Sequence, residues 1–128
     1  MDYKLILQPR PAYLHAVVTG ENTRENVAGY LDELRRECVA RGYKRVLVEE
    51  CLEGARLPTS DVFAIVMEES SRARGVFQAI AYVDVNAGGD MMKFAENIAL
   101  GRGMPVRLFA NVVDARRWLE DESAKGRA

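Results

Sequence analysis

At 128 residues, 48% of them apolar, the chain has the size of one domain and enough apolar material to bury a core without disulfides or metal. Eighteen Lys and Arg against nineteen Asp and Glu leave a formal charge of −1, interleaved along the sequence, which argues against a nucleic-acid partner. No apolar run approaches the ~20 residues of a membrane span, the start lacks a leader-like apolar stretch, and Cys38 and Cys51 fit neither a disulfide framework nor a zinc spacing, so a cytoplasmic protein without membrane insertion or cofactor is expected.

Tyr3 to Leu7 and Tyr13 to Thr19 are β-rich runs on either side of Gln8-Pro9-Arg10-Pro11, where two prolines deny ladder donors; they read as a hairpin. Asn22-Thr23-Arg24-Glu25 has capping-box spacing, and Val27, Tyr30, Leu31, Leu34 and Cys38 then recur at helical intervals until Gly42. Arg45 to Glu49 holds the run Val46-Leu47-Val48 of a central strand, and a loop is expected from Cys51 to Pro58. Thr59 or Ser60 is the expected cap of a helix with Val62, Phe63, Val66 and Met67 inward, ended by Gly75.

Phe77 to Val85 alternates as a strand, with Phe77, Ala79, Ala81, Val83 and Val85 on one face and Gln78, Ile80 and Tyr82 on the other. After Gly88-Gly89, Asp90 starts a helix with Met91, Phe94, Ala95 and Ile98 on one side, stopped by Gly101 or Gly103. Pro105 to Phe109 is a short strand. Asn111 caps a last helix with Ala115, Trp118 and Leu119 inward, and Glu120 to Ala128 reads as a frayed tail. The order β-β-α-β-α-β-α-β-α implies one α/β domain over 1–128 with a mostly parallel five-stranded sheet and an antiparallel N-terminal edge strand.

This order, together with the stretch Ala95-Glu96-Asn97-Ile98-Ala99-Leu100-Gly101-Arg102-Gly103-Met104-Pro105-Val106-Arg107-Leu108-Phe109 and then Ala115-Arg116-Arg117-Trp118-Leu119, resembles the SpoIIAA-like or STAS-like family over nearly the whole chain. The resemblance implies a sequentially ordered sheet and a role as a protein-interaction switch. In that family's anti-sigma factor antagonists, a Ser or Thr opening the helix after the central strand is phosphorylated; the matching positions here are Thr59 and Ser60, candidate phosphoacceptors. A phosphate there would meet the positive end of the helix dipole. The chain departs from the pattern in having Pro58 where an Asp is expected and no following Gly-Leu.

His15 is the only histidine and falls within a strand, so no His-based metal cluster can be assembled in one chain, and Cys51 is expected to lie about two residues further along the neighbouring strand, out of its reach. Glu49, Glu50, Glu53, Asp84 and Asp90 fall at or beyond the C-terminal ends of parallel strands, where α/β sheets keep their sites, with Lys93 and Ser60 as the cation and nucleophile a Mg²⁺-dependent phosphotransfer would need. Gly88-Gly89 is not a phosphate-binding fingerprint. Phe63, Met67, Met91, Met92 and Phe94 are candidates for an apolar ligand site or an interface; Met91 and Met92, as helix neighbours, do not both face the sheet.

Without a catalytic signature, the sequence points to a non-enzymatic protein-interaction module, self-associating as a homodimer or binding a regulatory protein. A carrier of a small apolar ligand or lipid is the alternative, its difficulty being the little volume left once 128 residues have packed a core. The phosphotransfer enzyme stands third.

Overall fold

A computed structural model describes residues 3–84 and 90–125. Val85, Gly88 and Gly89 lie outside the described residues, as do the side chains of Asp90, Met91 and Met92. The elements follow as β1 (Tyr3–Pro9), β2 (Leu14–Glu21), α1 (Arg24–Arg41), β3 (Arg45–Glu53), α2 (Thr59–Arg72), β4 (Ala79–Asp84), α3 (Asp90–Gly101), β5 (Val106–Phe109) and α4 (Val112–Lys125). They form a five-stranded sheet in the order β1-β2-β3-β4-β5, with β1 antiparallel to β2 and every other pair parallel.

The pleat divides the apolar residues between two cores. Leu14, Ala16, Val18, Val46, Val48, Leu52 and Ile80 face the layer of α1, α2 and α3, whereas Leu47, Ala79, Ala81 and Val83 face α4. Small alanines on β4 let α4 come close enough to bury Ala115 and Leu119 completely. Burying a side chain such as Leu47 or Leu119 contributes about 1.5–3 kcal/mol. The expected alternation of Ala79, Ala81 and Val83 against Ile80 and Tyr82 therefore holds, but Phe77 does not follow it. It precedes the strand and packs with the three-helix core.

Several boundaries differ for nonlocal reasons. The cap of α1 is Thr23, whose side chain accepts from the Asn26 N–H at 3.1 Å, one position later than the sequence spacing suggests; the Asn22 amide donates instead to the Ala55 carbonyl. Gly42 closes α1 as expected, in the left-handed conformation at φ 77°. β3 runs on to Glu53 through what reads as a loop, because Thr19, Gly20 and Glu21 of β2 pair with Cys51, Leu52 and Glu53. α2 is capped by neither Thr59 nor Ser60: Pro58 holds that position without a side-chain cap bond. α4 also continues past Glu120 to Lys125, burying Ser123 in a cleft it shares with Pro11 and Ala12.

Candidate functional site

β3 and β4 lie side by side with Val48 opposite Tyr82 and Glu50 opposite Asp84. The strand period of two turns all four toward the three-helix layer. Above them α2 packs against α1 and α3, with its Ile65 buried in the same core as Val48 and Ile80. The gap beneath it is a cavity of about 330 Å³, whose apolar walls include Val27 and Leu31 of α1, Val62 and Val66 of α2, Ile80 of β4 and Val106 of β5.

Glu50, Tyr82 and Asp84 form one end of this space. Glu50 is only 7% exposed. The hydroxyls of Tyr30 and Tyr82 both donate to its Oε2, and the two hydroxyls lie 3.2 Å apart. Tyr30, fully buried on α1, stands behind the cavity wall with Tyr3 packed edge-on against its ring at 6.4 Å. Burial pushes the Glu50 carboxyl up to about 7; the two hydroxyls oppose the rise, and the adjoining Asp84 carboxyl adds to it. Burial, reinforced by the charge of Glu50, holds both tyrosines well above their ordinary value of 10.0, so they act as neutral donors.

Two more carboxyls line the cavity, each with basic partners. Glu69 of α2 lies 3.9 Å from Arg35 Nε and 3.6 Å from Arg72 Nη1, yet burial still raises it. Glu96 of α3 accepts from the Leu108 N–H at 2.8 Å and from Lys93 at 3.1 Å; burial works against its charge, and these donors outweigh it and hold the group below its ordinary value. The exposed Arg56, in the segment between β3 and α2, contributes to the rim.

The acidic rim read from sequence is split by the pleat. Glu50 and Asp84 converge, whereas Glu49 points to the opposite face, where its Oε1 meets His15 Nε2 at 3.0 Å and its Oε2 lies 4.0 Å from Cys51 Sγ. Glu53 is exposed at the end of β3, and Lys93 is engaged by Glu96 rather than aimed at a phosphoryl group. His15 sits opposite Leu47 and Cys51 opposite Thr19, so they are separated by four positions, not two. Burial, with help from Glu49, raises the Cys51 thiol above its ordinary value and keeps it protonated.

Thr59 and Ser60 are exposed in the first turn of α2. Phe63 and Phe94 are 46% and 39% exposed, Met67 is half-buried, and none of the three lines the cavity. The inward stripe of α2 is Val62, Ile65, Val66, Glu69 and Ser70, a phase that turns Phe63 out. Sequence reasoning missed the Tyr30–Glu50–Tyr82 cluster. Its signal was parity: Glu50 shares the face of Val46 and Val48, and Tyr30 belongs to the apolar stripe of α1. No protein-family model matches this chain, and no curated protein does.

Proposed function

We propose that this chain is a non-enzymatic, cytoplasmic binding domain for a small apolar ligand, held between the sheet and α2. The cavity carries this reading. Its volume of about 330 Å³ falls within the ~300–1,000 Å³ of small-molecule sites, and apolar walls with a few convergent polar groups are what such sites share. Liquid water takes ~30 Å³ per molecule, so the space matches roughly ten waters, or a ligand of similar heavy-atom count. An occupant that binds only the folded protein would stabilise it by mass action.

A titration of ¹⁵N-labelled protein with 1-octanol tests the reading. Saturable shifts are expected at the amides of Val48, Ile80 and Val106 and should be abolished by Val66→Phe, whose ring enters the cavity. The proposal is refuted if these amides do not respond and the protein purified from its own host shows no retained mass in a native spectrum.

The exposed Phe63 and Phe94 on the helical layer favour a second reading, a protein-interaction module of the SpoIIAA-like or STAS-like kind. The sequential strand order supports that kinship. Under this reading the protein is a dimer or partner-bound, and Phe94→Glu shifts its sedimentation to the monomer without altering its fold.

A further inference from the structure

The polar end of the cavity specifies what kind of head group its ligand carries. Resting on the ligand-binding reading above, we propose that the ligand is an amphiphile with a protonated amine seated against Glu50 and Asp84, its apolar body lying between α1, α2 and β5.

The charge around the space is unevenly answered. Tyr30 from α1 and Tyr82 and Asp84 from β4 act on Glu50 directly, while Glu69 from α2, Glu96 from α3 and the exposed Arg56 line the same space. Glu69 has Arg35 and Arg72, and Glu96 has Lys93. Glu50 is held by two hydroxyls and a neighbouring carboxyl, and among the described residues no lysine or arginine pairs with it. A carboxylate buried without a countercharge is costly.

Both tyrosines donate to the same oxygen, Oε2, and the hydrogen bond between Glu50 and Asp84 depends on a proton carried by one of the two carboxyls; once that proton leaves, the pair offers only acceptors to each other. An ammonium brings three N–H donors and the countercharge together. A neutral hydroxyl supplies one donor and no charge, whereas a carboxylate or phosphate head would be driven against the Glu50–Asp84 pair. Near pH 7 Glu50 is divided between its two forms, so seating the ammonium expels the bound proton to solvent. No covalent bond changes.

The test compares three probes of one chain length, octylammonium, 1-octanol and octanoate, by calorimetry at pH 8 and pH 5.5, on the wild-type protein and on Glu50→Gln. Octylammonium is expected to bind at least tenfold more tightly than 1-octanol at pH 8, with octanoate weakest. That preference should shrink at pH 5.5 and in Glu50→Gln while 1-octanol affinity is retained; Asp84→Asn serves if the first variant does not fold. Equal affinity for the ammonium and the alcohol, or tightest binding of octanoate, overturns the amine inference and leaves the apolar cavity standing. Failure of all three probes overturns both.

Discussion

Replacing Glu50 by Gln isolates the buried carboxyl, because the amide keeps the shape, accepts from Tyr30 and Tyr82 through its oxygen and donates toward Asp84 through its nitrogen. In the folded protein the acid titrates at about 7, against an ordinary value of 4.5. An acid raised by folding binds its proton more tightly in the native state. Its favourable contribution is therefore present at low pH and lost as pH rises from 4.5 to about 7, with no further change above. At about 1.4 kcal/mol per pH unit across that interval, the loss is about 3 kcal/mol. The two proteins should be close in stability at pH 4.5, and Glu50→Gln should be more stable by about 3 kcal/mol at pH 8. Urea unfolding at several pH values measures this directly, and subtracting one pH profile from the other removes the titration of groups that are not coupled to Glu50. Parallel profiles, or a Gln variant less stable than wild type at pH 8, would refute the reasoning.

Tyr30→Phe should cost about 1.5–3 kcal/mol at pH 8, where the lost hydroxyl served a charged acceptor, and only about 0.5–1.5 kcal/mol at pH 5. The same urea series checks it, and an equal cost at both pH values contradicts the assignment. Thr23→Ala should destabilise by about 1 kcal/mol through loss of the α1 cap, with Thr23→Ser recovering most of it in thermal unfolding. Leu47→Ala removes a fully buried side chain beneath α4 and should cost about 2–5 kcal/mol in denaturant unfolding; a loss below about 1 kcal/mol would show that the α4 core is loosely packed.

What the sequence made legible was set by local periodicity. The stripe of α1 and its left-handed Gly42, and the alternation of Ile80 and Tyr82 against Ala79 and Ala81, are carried by residues close together in the chain. The end of β3 was not legible, because among the described residues Cys51-Leu52-Glu53 joins the ladder through β2, more than thirty residues earlier. The phase of α2 was ambiguous for another reason. Val62, Phe63, Ile65, Val66 and Met67 spread over much of the helix circumference, and only the position of α2 across α1 and α3 decides that Val62 and Val66 line the cavity while Phe63 faces out. A cavity has no residue pattern of its own: it depends on how α2 lies across its neighbours.

Glu49 and Glu50 show what that geometry does to chemistry. They are adjacent in the chain, yet the pleat gives Glu49 a histidine on the α4 side and Glu50 two tyrosines and an aspartate on the helical side. Were β3 shaped by packing alone, an apolar residue at position 50 would serve better, since replacing a buried polar cluster with well-packed apolar side chains is often neutral or stabilising. Here the polar cluster occupies a wall of an apolar space that the core does not fill. Among the described residues no lysine or arginine pairs with Glu50, and a single amphiphilic occupant would bring the countercharge while covering the apolar walls. That coincidence is what supports the binding proposal for the gap under α2.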